Sequence, residues 1–283
     1  MSERDYIMLT TQIGEVYHCA ADVRHYAADE ESYLAINVEG TAHMLAFARL
    51  SGASFYHMST CSVSGEHLKE DSDVTIFTEE DYDIGQIWEE NIYVKSKFLA
   101  EGLVLQAAAE GLNAKIFRLG RLVGRASDGV FQKNPGSNVF YLLVKGFCQL
   151  GAIPAKAACE EVDLMPVDVC VEEVLALKDS DGLIYHIMNH CPPVLETVVR
   201  ALNKQIRVEE EEAFAALLEK KAPELDKELA ALLMDHWHRS KVKPPVIRIS
   251  AKVTEQHLAE AGYYQKIPAP EQVLKGFYMQ ESK

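Results

Sequence analysis

The chain has 283 residues, and its 28 Lys and Arg against 43 Asp and Glu give a formal charge of −15. Apolar residues at 48% and aromatics at 8% supply a sizeable core, which excludes intrinsic disorder as the main state. The acidic balance argues against nucleic acid or an anionic membrane as main partner, while leaving room for a local basic pocket.

The start, Met1-Ser2-Glu3-Arg4-Asp5, lacks the apolar region of a secretory signal. No apolar run approaches the roughly 18 residues of a membrane helix. The chain therefore reads as a soluble, cytoplasmic protein. Its six cysteines are scattered with no C-x-x-C pair, as reduced thiols would be.

In chain order, Glu15 to Ala20 is a short apolar run ending in small residues, as a buried strand would be. Asn37 to Leu50 carries Val38, Ala42, Leu45, Ala46 and Arg49 at helical spacing and stops at Gly52. Ser54 to Ser59 reads as a strand, and the polar stretch Glu66 to Glu90 as a long loop. Asn91 to Glu110 is a long helix closed by Gly111, followed by the strand Ala114 to Leu119. Strands separated by helices predict parallel βαβ units. The fold class is α/β, a Rossmann-like doubly wound parallel sheet, with ligands beyond the carboxyl ends of the strands.

Past about residue 190 the texture changes. Cys191-Pro192-Pro193 breaks the chain. Phe214, Leu217 and Leu218, then Leu225, Leu229, Leu232, Leu233 and Trp237, predict two amphipathic helices separated at Pro223. Residues 1–190 are read as the dinucleotide-binding part and 191–283 as a mostly helical substrate cap. His236 with His238, and His186 with His190, have ligand-like spacing, but no third ligand completes a set, so no metal is expected.

Tyr93-Val94-Lys95-Ser96-Lys97 opens the long helix, and Ser59-Thr60 ends the strand before it. Tyr93 and Lys97 are four apart and share one helical face. A nearby ammonium favours the tyrosinate, so Lys97 is expected to lower the Tyr93 pKa and fit it for proton donation to a developing alkoxide. Thr60 can give that oxygen a second hydrogen bond. Alone, Y-x-x-x-K recurs by chance in helices; its place after a Ser-Thr strand end raises it above chance.

Several segments together resemble the extended short-chain dehydrogenase/reductase family. They are His18-Cys19-Ala20-Ala21, Asn37-Val38-Glu39-Gly40-Thr41, Ser59 to Gly65 (with Ser64 where the family has Tyr), Tyr93 with Lys97, and Arg118 to Gly124 (with Leu119 where the family has Pro). Within that family the chain is most similar to thioester reductase domains of nonribosomal peptide synthetases and carboxylic acid reductases. The run Arg118 to Gly124, the loop Ser127 to Asn134, the segment Met165-Pro166-Val167-Asp168 and the helical C-terminal cap carry this likeness.

The resemblance implies NADP(H) as cofactor, a phosphopantetheine-bearing carrier protein as partner, and reduction of an acyl or peptidyl thioester to an aldehyde or alcohol. It implies Thr60, Tyr93 and Lys97 as catalytic residues. Ala20, Ala21, Ser59, Tyr93, Lys97, Gly120, Arg121 and Leu122 would line the cofactor, and Val130, Phe131 and Asn134 the substrate. The loop Arg125 to Asn138, given backbone freedom by Gly129, Pro135 and Gly136, is expected to act as a gate facing the helices of 209–239.

The family begins with a strand, a Gly-rich turn and a helix, and this sequence holds no such segment. It opens just before the fourth strand, short of the family pattern by roughly 70 to 100 residues. A fragment of a longer protein is the expected explanation, ahead of a split gene or a degenerate remnant. The chain alone is then expected to bind NADPH weakly and not to turn over. Two other readings stand beside the reductase: a nucleotide-sugar epimerase or dehydratase of the same family, and a non-catalytic truncated binding module.

Overall fold

The computed structural model describes residues 2–23, 29–70, 74–239 and 246–278. The chain runs α1 (Glu3–Thr10), β1 (Glu15–His18), α2 (Glu30–Leu34), α3 (Gly40–Ser51), β2 (Ser54–Thr60), β3 (Thr75–Phe77), α4 (Ile92–Ala109) and β4 (Ala114–Leu119). It continues through β5 (Leu122–Val123), α5 (Val139–Leu150), β6 (Ala152–Pro154), α6 (Ala155–Ala158), β7 (Met165–Pro166), α7 (Val167–Leu177) and β8 (Ile184–Ile187). The last elements are α8 (Leu195–Leu202), β9 (Arg207–Glu209), α9 (Glu211–Lys221), α10 (Lys227–Arg239), β10 (Ile247–Ile249), α11 (Lys252–Glu260), α12 (Pro270–Val273) and α13 (Lys275–Tyr278).

Two compact units result, and neither is one continuous stretch. The first takes residues 1–120, 172–187 and 245–264; the second takes 121–171, 188–244 and 265–283. The chain crosses from the first unit to the second three times, after Gly120, Ile187 and Tyr264.

The first unit is built on a parallel sheet in the order β1-β2-β4-β8, the α/β architecture that the alternating pattern predicts. β2 and β4 lie inside the sheet and are buried along most of their length, so they read as apolar runs rather than alternating strands. The helices end where the glycines stand: Gly52 after α3 and Gly111 after α4 take left-handed φ angles of 70° and 96°.

Four departures from the sequence reading have local causes. β1 stops at His18 rather than Ala20. The helix expected from Asn37 begins at Glu30 and passes through a π-helical turn, Ala35–Glu39, before α3. That turn turns Asn37 inward, where its side chain binds two other segments. α1 forms on the cap given by Ser2, and Tyr6 stacks edge-on against Phe47 at 5.5 Å. Inside the stretch read as a long loop, β3 pairs in parallel with β10, Thr75 opposite Ile247, a partner too distant in sequence to leave a local signal.

The second unit has its own core around α5, whose Phe140, Tyr141, Val144, Phe147 and Leu150 are buried with Leu218, Leu233 and Phe277. α9 and α10 are the two amphipathic helices predicted there, joined at Pro223 by a single tight turn, Ala222–Glu224. No helix among the described residues is long and apolar enough to cross a membrane.

Candidate active site

The site is assembled where β2 ends and α4 begins. Asn91 caps α4, its side-chain oxygen accepting from the Tyr93 and Val94 amides at 2.9 and 3.2 Å. That cap fixes Tyr93 in the first helical turn. Thr60 ends β2, and its hydroxyl forms a hydrogen bond with the Tyr93 side chain. Lys97, one turn further along α4, is buried and donates to the Met58 carbonyl at 2.5 Å, with Nζ 3.5 Å from His57 Nε2. The structure thus gathers Thr60, Tyr93 and Lys97 at the carboxyl end of one interior strand.

Electrostatics here differ from the expectation that Lys97 would lower the Tyr93 pKa. Burial pushes the Tyr93 phenol up, and the hydrogen bond from Thr60 only partly opposes it. Burial thus makes Tyr93 a weaker acid, not the stronger one expected. Burial also brings Lys97 down to about 8, although Glu101 and Cys19 act in the other direction. Both effects share one cause, the loss of water around a charged form.

Ser59 precedes Thr60 but points the other way. Its hydroxyl donates to Glu101 Oε1 at 2.5 Å. Glu101, two turns past Tyr93 on α4, is fully buried and grips fully buried Arg118 of β4, with Nε and Nη2 at 2.8–3.1 Å. Arg118 Nη1 then meets His186 Nε2 at 3.1 Å, and its guanidinium lies 4.7 Å from the centre of the Phe77 ring. Helix α4 thus buries a carboxylate and an ammonium against the sheet.

Asn37 is a site residue that the sequence reading quoted within a motif but gave no role. Its side chain accepts from the Asp22 amide at 2.7 Å and donates to the Asp22 carbonyl at 2.8 Å and to Ser96 Oγ at 2.9 Å. It thereby ties the segment after Ala20 and Ala21 to α4. His18 Nε2 lies 3.1 Å from Thr41 Oγ1, whose hydroxyl donates to the Asn37 carbonyl, so the two motifs are joined. Ala20 is exposed and Ala21 half-buried.

Gly120 closes the first unit, its amide donating to the Ile187 carbonyl at 2.8 Å. The remaining sequence candidates belong to the second unit. Arg121 donates its amide to Asp163 at 3.0 Å and stacks over Phe140, and Leu122 pairs with Met165. Phe131 packs among Tyr141 and Phe277, Val130 is 49% exposed, and Asn134 lies on the exposed side of the loop. Gly129 does not have the freedom of a gate. It holds φ at 75°, its carbonyl accepts the Gly276 amide at 3.0 Å, and an added Cβ would meet Lys275 at 2.7 Å. No cluster of three or more His, Cys, Asp and Glu that could hold a metal occurs among the described residues.

Residues 1–174 match the family model described as male sterility protein, an NAD-binding family. A PKS-NRPS hybrid synthetase of Aspergillus candidus is 27% identical over 180 residues, covering 63% of this chain and 7% of that protein. The 3beta-hydroxysteroid dehydrogenase/Delta(5)-Delta(4) isomerase 1 of Caenorhabditis elegans is 28% identical over 193 residues, covering 64% of this chain and 39% of that protein. Among solved structures, a thiolation-reductase di-domain from an archaeal nonribosomal peptide synthetase matches with TM-score 0.86 and 30% identity, covering 98% of this chain and 60% of that one. The terminal R domain from the myxalamid PKS-NRPS pathway shares the fold, with TM-score 0.76 and 24% identity, covering 99% of this chain and 70% of that one. The chain thus spans less than half the length of these curated relatives.

The donor set suits the nicotinamide-ribose end of a dinucleotide. An ammonium has three N–H donors. The described contacts use one on Met58 and point one toward His57, which leaves one for a ribose hydroxyl. The sequence carries no glycine-rich turn of the kind that receives a pyrophosphate.

Proposed function

The chain belongs to the male sterility protein family of NAD-binding domains, and on that premise we propose that it takes part in NADPH-dependent reductive release of an acyl or peptidyl thioester. The thioester would be held on the phosphopantetheine of a carrier protein or carrier domain, and the product would be an aldehyde or alcohol. One observation carries the reading: a hydrogen-bonded Thr60–Tyr93 pair stands beside buried Lys97 at the carboxyl end of β2. Likeness to the archaeal thiolation-reductase di-domain supports the substrate class and the partner.

When bound, the nicotinamide supplies hydride. Thr60 and Tyr93 bind the thioester carbonyl oxygen, and Tyr93 donates its proton as charge develops there. Lys97 holds the ribose. Arg121, Leu122, Val130, Phe131 and Asn134 complete the proposal as cofactor and substrate contacts, and residues 191–283 as the cap.

The test is single-turnover reduction of an acyl-carrier thioester by the complete protein, with NADPH and with NADH, alongside a panel of UDP-sugars. Aldehyde formation with NADPH that is lost in Tyr93→Phe supports the reading. Undiminished aldehyde release by Tyr93→Phe, or consumption of a UDP-sugar instead, overturns it.

A further inference from the structure

His57 occupies an interior position of β2, opposite His18 of β1 and Ile116 of β4, and is 1% exposed. Its ring stacks on Phe55 with an interplanar angle of 12° and lies 5.6 Å from the His18 ring. Such a slot suits a leucine or phenylalanine, and a histidine there costs stability, because Nδ1 is buried without a hydrogen-bond partner among the described residues. The other ring nitrogen faces the Lys97 ammonium at 3.5 Å. An N–H donor on that side requires a lone pair on Nε2, which places the ring proton on Nδ1.

The groups around Lys97 explain why an imidazole would be kept there. His18 and Cys19 approach from β1 and its end, His57 from β2, and Tyr93 and Glu101 from α4 itself. The one carboxylate among them, Glu101, is already bound to Arg118 and Ser59. The buried ammonium thus rests on neutral acceptors, the Met58 carbonyl and His57 Nε2.

We propose that His57 is a positioning residue for Lys97, its neutral ring acting with the Met58 carbonyl to hold the ammonium at the carboxyl end of β2. The two groups depend on each other's charge state. A protonated His57 would lose its acceptor and repel Lys97, and burial together with the Lys97 and His18 charges keeps His57 well below its usual pKa. For its catalytic consequence this inference rests on the proposed role of Lys97. The experiment reads Lys97 without turnover, so failure of the thioester reading leaves it intact.

The 283-residue chain, carrying ¹⁵N-histidine, is titrated by NMR. The His57 Nε2 signal should show an inflection where Lys97 titrates, near pH 8, and Lys97→Met should abolish it. In His57→Leu the thermal midpoint should hold or rise, because the unpartnered Nδ1 is gone. The Lys97 amine, followed by ¹³C after reductive methylation, should titrate lower by roughly half a unit or more. His57→Gln, which keeps an acceptor, should restore the wild-type midpoint. A merely structural histidine gives the opposite result, a loss of thermal stability with Lys97 unmoved. An Nε2 signal indifferent to Lys97→Met, or an unchanged Lys97 midpoint in His57→Leu, overturns the proposal.

Discussion

Tyr93 and Lys97 stand one turn apart on α4, and burial moves their pKa values in opposite directions. The phenol is made a weaker acid, while the ammonium is brought near neutrality. In the complete protein Tyr93→Phe should lower kcat by roughly a hundred- to ten-thousandfold while leaving the thermal midpoint unchanged, as for a lost general acid. Lys97 also makes a stability prediction. Its folded pKa, about 8, lies below the ordinary 10.5, so between those values the unfolded chain binds more protons and stability rises with pH. At neutral pH the buried charge costs about 3 kcal/mol on the scale of 1.36 kcal/mol per unit. Lys97→Met should therefore be more stable than wild type at pH 7, with the difference shrinking toward pH 10, as urea denaturation across that range would show. A constant difference would mean that Lys97 is not buried as a cation.

Among the elements, α4 has unusual content, because its buried positions carry Ser96, Lys97 and Glu101 among Phe98, Ala100 and Val104. Glu101 is tolerated there because Arg118 of β4 meets it in full burial. Truncating one partner strands the other charge, so Glu101→Ala should cost about 3–5 kcal/mol in urea denaturation. The double replacement Glu101→Leu with Arg118→Met should cost distinctly less, since no charge is left unpaired. Equal losses in the two variants would deny the pair its burial. In the second unit, the loop from Gly124 to Phe131 closes against α12 and α13 through glycine. Gly129→Ala must enter a left-handed φ and press on Lys275, so it should destabilise the chain by more than about 1 kcal/mol. An Ala variant as stable as wild type would restore the view of Gly129 as a free hinge.

For the whole molecule, the buried histidines set the acid limit. His186 is brought down to about 4 by burial and the neighbouring Arg118, and His57 and His18 are lowered as well, each chiefly by burial. A histidine with a depressed folded pKa contributes stability that is present above 6.5 and lost as pH falls below it. The thermal midpoint should therefore decline from about pH 6.5 toward pH 4, and His57→Leu should flatten part of that decline. A midpoint independent of pH across this window would contradict the burial of these rings.

The sequence by itself determined what depends on near neighbours and on pattern. The alternation of strands and helices, the stops at Gly52 and Gly111, the break at Pro223 and the placing of Tyr93 and Lys97 on one helical face all follow from spacing and local backbone preference. Only the tertiary structure decided which polar side chains are buried and with whom. Ser59 turns to Glu101, Asn37 bridges Asp22 and Ser96, and β3 finds β10, each through a partner distant in the chain. The ionisation of Tyr93 belongs to the same class. Helical spacing brings an ammonium near the phenol, but the sign of the shift was decided by desolvation, which only the packed fold imposes.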